Sequence, residues 1–379
     1  MNRTNITSTC TLLLIILLAS CAQTQNAEPL TSQNQSIVIG AMFPLSGDAA
    51  SYGEPLSRQL LLTINEINAA GGVNGRPLEL KLEDSKCNAK DAATAASKLI
   101  NVDGVKVIFG GACSSETLGA APIAEKSKVI LISPSATSPD ITKAGDYVFR
   151  TAPSDAYAGK VAADKAIALG YRKAAIIHEN TDYAQGLRKV FDKSFTTSGG
   201  SVIAVESYNP DDTDFKTQIL KVKDANPDVV YIVPQAPPKG VLLIKQLKEQ
   251  GVDKQLMTAE VLIGRSVVKE HGVEMEGLIG VEAAFDEQGS IASTIIGAYR
   301  SVYGEPPYPF YQAAMRDALY LVIESVKKSG YDADAIKTNL YATKDWQGAI
   351  GKLTIDENGD PILGYLVKQV KDGKLVDNK

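Results

Sequence analysis

From Ile37 onward the chain alternates short apolar runs with longer amphipathic stretches, and this alternation continues as far as Glu282. Brief apolar runs bounded by helical stretches are the pattern of parallel strands joined by crossover helices, and a parallel sheet must be covered on both faces. Ser36–Phe43 reads as a buried strand. Tyr52–Ala70 reads as a helix, with Leu56, Leu60, Ile64 and Ile67 near helical spacing and Gly71-Gly72 as its stop. Strands at Leu78–Glu83, Val105–Phe109 and Val129–Ile132 then alternate with helices at Asp91–Val102 and Ser115–Lys126.

The pattern pauses at Tyr147–Ser154 and restarts. Helices are expected at Asp155–Leu169, Tyr183–Ser198, Phe215–Lys223 and Val241–Glu249. Strands are expected at Ala174–His178, Val202–Ser207, Val229–Val233, Gln255–Thr258 and Gly277–Glu282. Two such series predict an α/β protein with two doubly wound parallel-sheet lobes, which suits a chain of 379 residues. The helices Ile291–Val302 and Gln312–Lys328, joined by the Gly304–Pro309 loop, begin no new series and are expected to cover the first lobe. Leu353–Ile355 and Leu363–Val370 read as a hairpin turning at Asn358-Gly359.

The N-terminus carries a separate signal. Arg3 precedes the apolar run Leu12–Leu18, which is too short to span a bilayer, and Leu18-Ala19-Ser20-Cys21 follows. Residues 1–20 read as a secretory signal whose end resembles the bacterial lipobox. That resemblance implies cleavage before Cys21 and lipidation of it; the alternative is an ordinary secretory signal with an incidental cysteine. Residues 21–35 carry no apolar period and read as a flexible tether.

Composition narrows the function. The formal charge of −5 offers no basic footprint for nucleic acid, and two histidines, His178 and His271, make a histidine-rich metal site improbable. No Gly-x-Ser-x-Gly elbow, His-Glu-x-x-His helix or phosphate loop occurs, so neither catalytic residues nor cofactors are expected. Past the signal and Cys21, the remaining cysteines are Cys87 and Cys113, 26 residues apart, either bonded to each other or buried as separate thiols.

In open α/β sheets a ligand sits beyond the carboxyl ends of the strands. Three such loops stand out. Gly110-Gly111-Ala112-Cys113-Ser114-Ser115 allows close backbone approach, and Ser114 or Ser115 can cap the next helix, where free N–H groups favour an anion; a plain capped turn is the alternative. Ser133-Pro134-Ser135-Ala136-Thr137 presents a hydroxyl and amides, or is only a polar turn. Glu260 is an acid in an apolar stretch that needs a partner, either a ligand cation or a nearby lysine.

The stretches Ile39-Gly40-Ala41 through Pro44-Leu45-Ser46-Gly47, Ile64-Asn65-Glu66-Ile67-Asn68, Cys113-Ser114-Ser115, Ser133-Pro134-Ser135-Ala136-Thr137, Asp182-Tyr183-Ala184-Gln185-Gly186 and Asp356-Glu357-Asn358-Gly359-Asp360 resemble the branched-chain amino-acid-binding proteins of ABC transporters. That resemblance implies a type I periplasmic binding fold with a three-strand hinge, and lobes formed by 36–151 with 284–360 and by 152–283 with 361–379. It implies that Ser114 and Thr137, with the amides around them (Ser115 and Ala136 included), hold a ligand carboxylate. The Ser135 carbonyl and Glu260 would hold an ammonium, Tyr52 and Tyr183 would line the pocket, and Cys87 would be bonded to Cys113. Gln235 stands where the family usually has an aromatic residue, which favours a polar ligand group. The implied role is a monomeric, lipid-anchored binding protein that delivers an amino acid to a membrane permease. The alternative is a sensor for amides, urea or aromatic acids that signals to a membrane receptor.

Overall fold

The computed structural model describes residues 35–378. The expected signal segment, Cys21 and all but the last residue of the tether lie outside them.

The first lobe follows the sequence pattern. Strands β1 (Ile37–Phe43), β2 (Leu78–Asp84), β3 (Val107–Gly110), β4 (Ile130–Ser133) and β5 (Val148–Arg150) form one parallel sheet in the order β2-β1-β3-β4-β5. Helices α1 (Ala50–Ala69), α2 (Ala89–Asn101) and α3 (Ser114–Ser127) connect the first four strands. Strands β3 and β4 are buried along their whole length, as expected of strands covered on both faces.

The second lobe repeats the plan. It contains α4 (Asp155–Ala168), β6 (Lys173–Glu179), α5 (Asp182–Thr197), β7 (Ser201–Tyr208), α6 (Lys216–Ala225), β8 (Val229–Val233), α7 (Pro237–Glu249), β9 (Gln255–Ala259), α8 (Arg265–His271) and β10 (Ile279–Ala283). Its parallel strands run β7-β6-β8-β9-β10, so both sheets have the same order and reverse direction at the same place, between their first and third strands.

After β10 the chain forms α9 (Ser290–Tyr303) and α10 (Pro309–Ser329). Helix α10 packs on α1 and so returns to the first lobe. Helix α11 (Ala333–Tyr341) and the small pair β11 (Trp346–Gly348) and β12 (Gly351–Leu353) follow. The chain then re-enters the second lobe as β13 (Tyr365–Lys371), antiparallel to β10, with β14 (Lys374–Asp377) on its outer edge.

Two expectations change here. The Asn358-Gly359 turn forms, but it closes only a single bridge, Ile355 to Pro361, rather than a hairpin. Pro361 has no N–H to extend a ladder, and the next strand pairs in the other lobe. The hairpin of the tail turns instead at Asp372-Gly373, where both residues have positive φ (51° and 68°), as a tight two-residue turn requires. Strand β5 lies in what reads as the pause of the pattern; three residues are too few to show a period.

Arg150, the last residue of β5, is fully buried. Its Nε donates to Asp360 Oδ1 at 2.6 Å and its Nη2 to Asp360 Oδ2 at 2.7 Å, while Nη1 donates to the Ser138 carbonyl at 2.9 Å. The backbone N–H of Arg150 donates to the Gly359 carbonyl at 3.1 Å. The Asp356–Asp360 turn is thereby locked to the edge of the first sheet, beside the point where the chain leaves it.

Candidate ligand-binding site

The two sheets present their carboxyl ends to one another, and the loops after β3, β4, β8 and β9 meet there with the N-terminal turns of α3 and α5. These loops bring Tyr52, Ser114, Ser135, Thr137, Tyr183, Gln235 and Glu260 around one small cavity of about 30 Å³ between the lobes. So little space means that the lobes stand nearly shut. Ser115 and Ala136 do not line it. The Ser115 hydroxyl donates to the Cys87 carbonyl at 3.3 Å, and the Ala136 N–H is held by the Ser133 hydroxyl at 2.9 Å.

The β3–α3 loop is built by packing. At Gly110 (φ 132°) a Cβ would lie 2.1 Å from the Met42 carbonyl oxygen, and at Gly111 it would lie 2.2 Å from the Glu116 Cβ. The close approach these glycines permit is therefore to β1 and to Glu116. The carboxylate of Glu116 accepts from the Ser85 hydroxyl at 2.5 Å and from the N–H groups of Cys87 and Cys113 at 2.8 Å each. Burial pushes the Glu116 carboxyl up to about 7. Neither Ser114 nor Ser115 caps α3: Cys113 holds the cap position, and Glu116 reaches back to its N–H. Ser114 instead accepts from the Ser138 N–H at 3.1 Å and ties the two loops together. The first amides of α3 stay unpaired by the helix itself, which leaves an anion-friendly turn at the cavity.

Cys87 and Cys113 are bonded, with Cα atoms 5.3 Å apart, so the end of β2 is stapled to the start of α3. Closing a loop of this length is worth about 3.5 kcal/mol in the chain-entropy model. Peptide mapping without reductant should recover the two cysteines linked. Cys87→Ser/Cys113→Ser should lower the urea midpoint, and an unchanged midpoint would show that the link adds no stability.

The opposite wall is acidic. Glu260 follows β9 in a short 3₁₀ turn; its Oε2 is buried without a partner, and the Tyr311 hydroxyl donates to its carboxylate. Burial pushes the Glu260 carboxyl up to about 7. Asp155, the first residue of α4, is also fully buried. The Asp155 Oδ2 accepts from the Thr137 hydroxyl at 2.8 Å, and its Oδ1 has no partner. Burial, and then the charge of Glu260, hold the Asp155 carboxyl well above the ordinary carboxylate range. Sequence reasoning places Asp155 only as a helix start, because a first-turn acid after Ser154 reads as a solvated helix end. Burial, with the charges of Glu260 and Asp155, raises the hydroxyls of Tyr183, Tyr231, Tyr311 and Tyr365 well above the ordinary tyrosine range. Gln235 donates its backbone N–H to Glu179 Oε2 at 2.9 Å, and its own Oε1 is buried without a partner.

A larger cavity of about 630 Å³ adjoins on the far side of Glu260 and Tyr311. In its wall Arg265 pairs with Glu287 at 2.8 Å and Lys368 with Glu282 at 3.4 Å. The smaller cavity gathers three residues with buried, unpartnered oxygens, Tyr52, Gln235 and Glu260, of which only Glu260 also borders the larger one. Among the described residues no cluster of His, Cys, Asp or Glu could hold a metal ion, and no helix is long and apolar enough to cross a membrane.

Two sheets that point their carboxyl ends at one shared cleft, with anion-friendly amides on one wall and the unpaired Glu260 on the other, define a two-lobed solute-binding protein. Residues 36–374 match the model of the periplasmic binding protein family, and the chain belongs to that family. It is 33% identical over 333 residues, 86% of this chain and 87% of the relative, to the leucine-, isoleucine-, valine-, threonine- and alanine-binding protein of Pseudomonas aeruginosa. Its fold matches the crystal structure of a leucine-binding protein of Thermotoga maritima, with a TM-score of 0.83, 27% identity and coverage of 90% of this chain and 98% of that one. It also matches the branched-chain amino acid transporter substrate-binding protein of Streptococcus pneumoniae in complex with isoleucine, with a TM-score of 0.80, 29% identity and coverage of 91% and 100%. The chain is thus a periplasmic solute-binding protein of the branched-chain amino acid transporter type, and its relatives are binding proteins rather than enzymes.

Proposed function

We propose that this protein captures a free α-amino acid between its lobes and hands it to the permease of an ABC transporter, as a monomer held at the membrane by lipid on Cys21. The observation that carries the ligand class is the buried, unpartnered Glu260 Oε2, which lines the cavity together with Ser114 at the N-terminal turn of α3; Asp155, whose Oδ1 is also unpartnered, lies one hydrogen bond behind Thr137. A buried carboxylate without a partner is costly, and a ligand ammonium supplies what is missing. The ligand carboxylate then lies against the Ser114 hydroxyl, the first amides of α3 and the Thr137 N–H. The Thr137 hydroxyl gives its proton to Asp155, so its lone pairs turn toward the ammonium rather than the carboxylate. Tyr52, stacked on Tyr308 with ring centroids 4.5 Å apart, closes the side-chain end together with Tyr183 and Gln235.

We place the lobe boundaries at the three passages of the chain between sheets, near Thr151, near Ala283 and just after Asp360. Ligand entry requires the lobes to part about these three segments, and contacts to both lobes favour the closed form. Small-angle scattering should show a smaller radius of gyration with saturating ligand than without; an unchanged radius argues against the hinge. Thermal melting against the twenty amino acids, benzoate and 4-hydroxybenzoate tests the ligand class. At least one amino acid should raise the melting temperature, since a ligand that binds only the folded state stabilises it. A shift with the benzoates and with no amino acid would refute the amino-acid reading.

A further inference from the structure

A glycine is required either where the backbone takes a positive φ or where a neighbour comes too close for a side chain. Gly186 and Gly264 are of the second kind. Gly186 lies inside α5, where glycine is a poor helix former. Gly264 precedes α8 with φ −60° and ψ 143°, angles open to any residue. A Cβ at Gly186 would lie 2.9 Å from Ser138 Oγ and 3.0 Å from Pro139 Cδ, and a Cβ at Gly264 would lie 2.5 Å from Tyr308 Cε1. Ser138 and Pro139 follow β4 and Tyr308 opens α10, so these neighbours belong to the first lobe, whereas both glycines belong to the second. Among the described glycines these are the two at which a Cβ would overlap the opposite lobe. Neither obstacle yields easily. Ser138 is fully buried, with its N–H on Ser114 Oγ at 3.1 Å and its carbonyl accepting from Arg150, and the Pro139 ring is rigid. The Tyr308 ring is buried and stacked on Tyr52, which lines the ligand cavity.

We propose that Gly186 and Gly264 are positioning residues of the ligand site. They are two seats on which the lobes close, one in the helix that carries Tyr183 and the other just after Glu260, and their missing side chains set how far the cleft shuts. The proposal rests on the hinge motion given above and not on the class of ligand. With the lobes apart, both positions have room for a methyl group, so an alanine leaves the open form intact and penalises only the closed one. Binding draws on the closed form, and apparent affinity falls with the fraction of molecules able to reach it. At Gly264 there is a second route, because a displaced Tyr308 ring pushes Tyr52 toward the cavity.

Calorimetry with L-leucine tests this. Gly264→Ala should bind at least about 10-fold more weakly than the wild type, and Gly186→Ala about 3- to 10-fold more weakly, since its overlap is smaller. The ligand-free melting temperature should be unchanged in Gly264→Ala and unchanged or higher in Gly186→Ala, because alanine is the better helix former. Wild-type affinity in either variant would overturn the proposal, and so would a lower ligand-free melting temperature, since the methyl group would then collide in the resting fold. In a Tyr308→Ala background Gly264→Ala should have almost no effect on affinity; the same loss in both backgrounds would count equally against it. If leucine does not bind the wild type, the amino-acid reading is in question and closure is measured without ligand. Cysteines at Asp140 and Lys189, exposed positions within one turn of the Gly186 contact, can be joined by a short bis-maleimide. Ligand-free Gly264→Ala should be cross-linked several-fold more slowly than ligand-free wild type carrying the same cysteines. Equal rates would overturn the proposal whatever the ligand proves to be.

Discussion

Glu260→Gln should weaken L-leucine binding by about 30- to 1,000-fold, or roughly 2–4 kcal/mol, while leaving the affinity for its deaminated analogue, 4-methylpentanoate, nearly unchanged. The substitution preserves shape and removes charge. A charge-assisted hydrogen bond in a closed cleft is worth about 1.5–3 kcal/mol, and loss of the partner leaves a buried ammonium unpaired, which adds to the loss. The deaminated acid makes no contact that the substitution removes, and it should bind the wild-type protein weakly because it lacks the ammonium contacts. Calorimetry with both ligands on both proteins separates the contributions. Equal binding of amine and deaminated acid by the wild type, with no effect of Glu260→Gln, would remove Glu260 from the ammonium subsite and make Gln235 the next residue to examine. Ser114→Ala should weaken leucine less than Glu260→Gln, because the amides of α3 remain.

The second large effect concerns stability. Asp360→Ala should destabilise the protein by about 3–5 kcal/mol, because it strands the fully buried guanidinium of Arg150 without its bidentate partner. Urea denaturation would measure it. The double substitution Arg150→Met/Asp360→Leu should cost less than Asp360→Ala alone, since no charge is left uncompensated. A double variant as unstable as the sum of its two single variants would show that the pair acts only through independent packing.

The βα alternation made most of this fold legible. Apolar runs such as Val229–Val233 and Val107–Gly110 became fully buried parallel strands because nothing but a covered sheet accommodates them. Short elements were not legible, since β5 and β12 have three residues each and cannot display a period. The tail hairpin was misplaced because Asn358-Gly359 and Asp372-Gly373 carry the same local turn signal, and only pairing to a distant strand, β10, decides between them. The strand-end loops disclosed Ser114, Thr137 and Glu260, since those positions follow from the topology. Asp155 stayed hidden, because its burial and its bond from Thr137 arise from tertiary packing that a first-turn acid after Ser154 does not reveal. Conversely, Ser115 and Ala136 lie in the right loops but point elsewhere, and sequence does not encode that difference.

Strand β13 lies beside β10 with Ile279 opposite Gln369, so the second sheet is finished only by residues that follow β10 by more than 80 positions. During synthesis the nascent polypeptide exposes β10 as an open edge until residues 365–371 have emerged, and an exposed edge is a template for mispairing. Tyr365, which begins that closing strand, also stands among the residues around Asp155 and Glu260. A chain that ends before residue 365 would lack both the seal of its second sheet and the Tyr365 hydroxyl that meets the Pro153 and Ser154 carbonyls. Translation must therefore run past residue 371 before the second lobe can finish folding.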